Sequence, residues 1–205
     1  MKFHVYTLKA DTLCLGERIK GGLHRPCSRT LRYSTITPTL RYTLGRDDIH
    51  AVGMIAHAER ESRYLPYSPQ DRAQSVAKVP LSIEYLTNVR GTVYLLADDD
   101  ALPATLDLML GAFRSKGFGR TEMQYTGMHE FADSQGKLGV RVPEHLADVF
   151  GMQIIRPVYG YLWEPDMTDL TRGRYVRSLF EDTLCIAPAC LLKEELLWTL
   201  REKHQ

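Results

Sequence analysis

The alternation of apolar and polar positions predicts a chain of strands interrupted by two helices. "KFHVYTLK" (2–9) spaces Phe3, Val5, Tyr6 and Leu8 among polar residues and reads as a strand. An irregular stretch with Gly21-Gly22 follows. "TPTLRYTLG" (37–45) offers Thr37 as N-cap, Pro38 at the first helical position and Gly45 as a stop, so a short helix is expected. "DIHAVGMIAHAE" (48–59) reads as a second strand. Residues 60–79, with Pro66, Ser68-Pro69 and Asp71, read as an excursion. "PLSIEYLTNVRGTVYLLAD" (80–98) is β-rich, with a bulge or turn expected between Asn88 and Gly91. In "DDDALPATLDLMLGAF" (98–113), Leu102, Leu106, Met109, Leu110 and Phe113 recur at spacings of three and four. That periodicity predicts a helix, with Asp98, Asp99 and Asp100 at its positive dipole end. "RTEMQYTG" (120–127) alternates into a further strand.

The order strand, helix, strand, strand, helix, strand is that of an α+β, ferredoxin-like βαββαβ (RRM-like) domain. It would span residues 1–130, with an irregular loop at 16–46. Residues 131–205 would form a C-terminal elaboration packed on it. Gly136 and Gly139 mark a loop there, and "VPEHLADVFG" (142–151) reads as a short helix. "MQIIRPVYGYLWEP" and "RGRYVRSLFEDTLCIAP" read as two strands or one long hairpin. "ACLLKEELLWTLREKH" (189–204) reads as a closing amphipathic helix, with Leu191, Leu192, Leu196, Leu197 and Leu200 on its apolar face. Those leucines pack on their own domain or face a neighbouring subunit, for which Trp163 and Trp198 would be anchors.

Composition adds little until charge is mapped along the chain. The 205 residues are 44% hydrophobic, enough for a core, and the net charge is only +1. Between Gly16 and Arg46, however, stand Arg18, Lys20, Arg25, Arg29, Arg32, Arg41 and Arg46 against one acid, Glu17. A neutral total with one strongly basic stretch predicts a defined anion-binding face. No apolar run is long enough to span a membrane, and the N-terminal sequence lacks the apolar core of a secretory signal. A cytoplasmic location with reduced cysteines is therefore expected. Cys14, Cys27, Cys185 and Cys190 lack paired CxxC spacing, though the closeness of Cys185 and Cys190 leaves a metal site open beside structural thiols. No cofactor is expected.

The densest chemistry lies in "GAFRSKGFGR" (111–120). It matches neither phosphate-cradle motif. A Walker A loop needs GxxxxGK[ST], and Phe118 stands where the lysine belongs. A Rossmann fingerprint leads from strand into helix, whereas here a helix is expected first. Glycines 117 and 119 permit close backbone approach and positive φ. Arg114, Lys116 and Arg120 suit phosphates, and Phe118 suits a base. A glycine-capped, solvated basic turn explains the same residues without a ligand.

The layout of residues 1–130, with "RSKGFGR" between a helix and a strand, resembles the glycine-rich loop of the CRISPR-associated RAMP superfamily. "PTLRYTLG" after a basic loop and "SIEYLTNVRGTVYLL" before the second helix are similar to it in placement. Within it the chain looks most like the Cas-five group, and its brevity suggests a type IV or type III-D-like system. The resemblance implies an RNA-binding, non-enzymatic subunit that caps the 5′ handle of the guide RNA (crRNA) and joins the backbone and large subunits of an effector ribonucleoprotein. It assigns the loop role to Arg114, Ser115, Lys116, Gly117, Phe118, Gly119 and Arg120. RNA contacts by Arg18, Lys20, Arg25, Arg29 and Arg32 follow from charge alone. Some members of the superfamily cleave repeat RNA without metal, using a histidine, and His24 in the basic loop would be the candidate general acid or base. His50 and His57 are an odd number of residues apart and would face opposite sides of a strand. The processing members carry a second glycine-rich loop near the C-terminus; after residue 151 this chain has only "RGR" at 172–174, which favours the cap. A protein-interaction module without RNA is the third reading.

Overall fold

The computed structural model describes residues 1–16, 23–68, 76, 79–98, 101–166 and 172–193, without the side chains of 57–64. Residues 1–130 build one large sheet. Its strands are β1 (Lys2–Leu13), β2 (His24–Arg25), β3 (Thr30–Leu31), β4 (His50–Tyr67), β5 (Leu81–Leu96), β6 (Thr105–Met109) and β7 (Arg120–Glu130), with one helix, α1 (Tyr33–Leu44), between β3 and β4. The strand order is β3-β4-β5-β1-β7-β6, and all of these neighbours are antiparallel. The short β2 runs parallel to β5 opposite Ser82 and Ile83, just past the point where β1 leaves it at Leu86.

Alternation along β1 serves both faces of the sheet. Tyr6, Leu8 and Ala10 join Val89, Val93 and Leu95 of β5 and Ile36 and Leu40 of α1 in one core. Phe3 and Val5 belong to a second core, shared with Val140, Val142, Phe150, Leu179 and Ala187 of the C-terminal part. Beyond Val5 this second face turns polar: Thr7 lies between Thr92 and Gln124, and Lys9 between Arg90 and Glu122.

The C-terminal part is also β. It contains β8 (Asp133–Lys137), β9 (Val142–Pro143), β10 (Gln153–Arg156), β11 (Tyr159–Pro165), β12 (Gly173–Leu179) and β13 (Leu184–Pro188). They form two three-stranded antiparallel sheets, β10-β13-β8 and β11-β12-β9. Glu181 ties this part to the large sheet, accepting from the Thr30 hydroxyl at 2.7 Å and from the Arg141 guanidinium.

The architecture is mostly antiparallel β and not the expected ferredoxin-like βαββαβ (RRM-like) fold. The decisive correction is at 98–113. In place of the expected second helix, residues 101–104 are irregular chain leading into β6, an edge strand paired to β7. Pro103 offers no N–H and pushes Leu102 away from helical φ/ψ. From Thr105 onward, Leu106, Leu108 and Leu110 are buried while Asp107 and Met109 are exposed, a strict period of two. Asp98 therefore does not open a helix: its N–H donates to the Asp48 carboxylate at 2.9 Å. Asp99 and Asp100 lie outside the described residues.

Other elements shift as well. α1 starts at Tyr33, so Thr37 is not its N-cap and Pro38 is internal; Arg32 holds the cap position, and Gly45 ends the helix with φ 65°. Thr37 exchanges hydrogen bonds with the Ala51 backbone at 2.8 and 2.9 Å, which binds α1 to β4. The expected helix at 142–151 is a 3-10 turn, Glu144–Leu146. The expected C-terminal helix begins with a 3-10 turn, Ala189–Leu191, after which Leu192 bridges Leu138. Leu191 and Leu192 are buried in the second core; residues 194–205, including Trp198, lie outside the described residues. Among the described residues no helix is long and apolar enough to cross a membrane.

Candidate nucleic-acid interface

The site forms where β1 runs out. Its last residues and the three that follow offer backbone groups on both sides. On one side the Ser28 N–H donates to the Leu15 carbonyl at 3.0 Å, and Gly16 bridges Cys27. On the other side the Gly119 N–H donates to the Thr12 carbonyl at 3.0 Å, and the Ala112 N–H donates to the Cys14 carbonyl at 2.8 Å. The basic segment and the glycine-rich loop are thereby strapped to opposite flanks of residues 12–16.

Between them opens a cavity of about 480 Å³. Its wall includes Gly16 and Arg32 from the first flank, Gly111, Ala112 and Arg114 from the second, and Ser34, Thr35 and Thr39 from α1. Arg32 is fixed in the wall, because its Nη2 donates to the carbonyls of Leu15 and Gly16 at 3.2 and 3.0 Å. Trp163 reaches the same cavity from β11.

The loop from Gly111 to Arg120 connects two strands, not helix to strand. Arg114, Ser115 and Lys116 make one 3-10 turn, entered from Phe113 at φ 60° and left through Gly117 at φ 85°. Two of its glycines have a structural cause. A Cβ at Gly111 would run into the Cys14 carbonyl, and one at Gly119 into that of Leu110. Both have positive φ, so the close approach they permit is to the protein's own backbone. Gly117 alone of the three faces open space.

Phe118 is half-buried and lies edge-on to Tyr85, with ring centroids 5.0 Å apart. Phe113 stands edge-on to Tyr67 at 5.2 Å and 6.4 Å from Phe118. The four rings form a cluster under the loop, which anchors Phe118 and leaves part of it open. Around the cluster Arg114, Ser115, Lys116 and Arg120 are exposed. None of Arg114, Lys116 and Arg120 pairs with an acid among the described residues, so each cation is available to a phosphate.

The remaining expected contacts are dispersed. Arg25 is half-buried on β2 and Arg29 is exposed beside β3. His24 is exposed on β2, opposite Ser82. Arg18 and Lys20 lie outside the described residues. Arg41 serves the fold: its Nε donates to the Ile49 carbonyl at 2.8 Å. His50 lies against the Tyr33 hydroxyl at 2.9 Å, and burial, followed by the charge of Arg41, holds its pKa below the usual value. Sequence reasoning missed Tyr67, Tyr85 and the hydroxyl-bearing edge of α1. The run "YSTITPTL" beside a basic stretch was the available signal for the latter.

The four cysteines are free thiols. The Cys27 sulfur accepts the Leu15 N–H at 3.1 Å, while its own N–H donates to the Glu84 carboxylate at 2.9 Å. Burial raises the pKa of Cys14 and pushes those of Cys27 and Cys190 up to about 12, so these remain protonated packing groups at neutral pH. Among the described residues no three His, Cys, Asp or Glu side chains gather as metal ligands.

No protein-family model matches the chain, and no curated protein matches it.

Proposed function

We propose that the chain binds single-stranded RNA across the end of its large sheet. The observation that carries this reading is that the basic segment and the glycine-rich loop, far apart in sequence, wall one cavity from opposite sides. Arg114 in the wall, with Lys116 and Arg120 exposed on the same 111–120 stretch, neutralises phosphates, and Arg32 presents a fixed guanidinium inside the cavity. The Tyr67–Phe113–Phe118–Tyr85 cluster offers partly exposed ring surface beside the cations, the pairing of charge and aromatics that unpaired strands use. The polar sheet face is a poorer platform, since Thr7, Lys9, Arg90, Thr92, Glu122 and Gln124 supply no ring.

The narrower proposal is the one the resemblance implies: a cytoplasmic subunit that caps the 5′ handle of a guide RNA and abuts the backbone and large subunits of a CRISPR-associated effector complex. With a β6 strand in place of the second helix, its support is the residue-level match at 111–120, and no longer the βαββαβ layout.

Replacing Arg114, Lys116 and Arg120 together by Ala tests the broad reading. The slope of log K against log salt for a single strand should flatten by about 2, at about 0.7 per lost phosphate contact. An unchanged affinity and slope would remove the loop from the interface. Sequencing the RNA that copurifies tests the narrower reading: a uniform 5′ end is expected, and ragged ends would leave RNA binding but contradict handle capping.

A further inference from the structure

The β11–β12 hairpin carries an aromatic face that reaches the cavity only through Trp163. Tyr159, Tyr161 and Trp163 occupy alternate positions of β11, with Arg177 opposite Tyr161 and Tyr175 opposite Trp163. Their intervening neighbour Leu162 is buried in the second core. Tyr161 is 67% exposed, Tyr175 59% and Trp163 39%, a density of rings in solvent that marks an interaction surface. The rings are held in place. Trp163 and Tyr175 meet edge-on at 5.1 Å, and the indole lies against Gly173, where a Cβ would come within 2.8 Å of it. The Arg177 guanidinium sits 4.7 Å above the Tyr159 ring, and Glu144 fixes both, accepting from the tyrosine hydroxyl and from Arg177.

Two observations select the occupant. Rings on alternate residues of a strand repeat at about 6.5 Å, which lets successive splayed bases of an extended strand each take a ring. Trp163 also belongs to the wall of the cavity that holds Arg32 and Arg114, so the aromatic face continues directly from the phosphate site. We infer that this face is a stacking platform for unpaired bases of the same strand whose phosphates the loop and cavity hold, with Trp163 at the junction. The inference rests on the RNA-binding reading and adds where the bases go.

The test separates the two. The chain has two tryptophans, so Trp198→Phe leaves Trp163 as the sole indole emitter. A short oligouridylate should quench that emission, and a base-free ribose-phosphate strand of equal length should not. In the otherwise native chain, Tyr161→Ala and Tyr175→Ala should each weaken oligouridylate binding about tenfold, leave its salt slope unchanged, and leave the base-free strand unaffected. These side chains are exposed, so the variants read binding and not folding, and they do not depend on the Trp198 substitution. Unchanged affinity in both tyrosine variants, with loss in the Arg114/Lys116/Arg120 variant, would overturn the platform and keep the RNA reading. Failure of the native chain to bind oligouridylate would overturn both. Self-association abolished by Tyr161→Ala, without an effect on RNA, would assign the face to a second copy and overturn the inference.

Discussion

A methyl group at Gly119 would collide with the Leu110 carbonyl, whereas one at Gly117 would meet nothing, although both residues have strongly positive φ. The two positions therefore separate strain from collision. Gly117→Ala should cost about 1–2 kcal/mol of stability, the penalty of a left-handed conformation. Gly119→Ala should cost upwards of about 3 kcal/mol, because backbone must move as well. Equal losses in chemical denaturation would contradict the loop geometry. The sequence made the glycines legible but not their purpose, since a carbonyl from Cys14 or Leu110, just past the ends of β1 and β6, comes close only in the fold. His50 offers a second test at this scale. Its pKa is held below the usual 6.5 in the folded chain, so near that pH the unfolded state binds more protons. Stability should therefore fall as pH drops from about 7.5 to about 5.5, above the range in which carboxylates titrate. In His50→Asn the melting temperature should lose that dependence; its persistence would assign the effect elsewhere.

At the scale of elements, "LPATLDLMLGAF" (102–113) fits two periods at once. Counting Leu102, Leu106, Met109, Leu110 and Phe113 gives a helix; counting Leu106, Leu108 and Leu110 gives a strand. Pro103 tips the balance, and pairing with β7 completes it. The two assignments make opposite demands. Leu108 is buried and Met109 exposed in the strand, whereas Met109 faces the core in the helix. Leu108→Ala should cost about 2–4 kcal/mol and Met109→Ala under about 1; the reverse order in thermal melts would restore the helix. β1, β5, β7 and the start of β4 were legible because each alternates over a long run. The C-terminal strands were less so. β8 reads "DSQGK", with no apolar alternation at all, and is a strand because Leu184–Pro188 pairs with it. The extension of β4 to Tyr67 across Pro66 is likewise set by its partner β5.

For the whole molecule, the central claim is convergence. Charge marked the 16–46 stretch, and glycines, cations and Phe118 marked 111–120, but neither segment carries a local sign that they meet. They meet because residues 14–16 continue past the end of the β1–β5 pairing and, with Thr12, offer backbone groups to both flanks. The aromatic support from β4 and β5 and the third wall from β11 depend on register and on packing of the C-terminal part, neither of which is written locally. The most direct measurement is photocrosslinking of a 4-thiouridine-substituted single strand to the native protein, followed by peptide mapping. The account predicts crosslinks in both the 23–35 and the 111–120 segments. Crosslinks confined to one of these stretches, or to the polar sheet face around Thr7, Lys9 and Arg90, would contradict a shared interface.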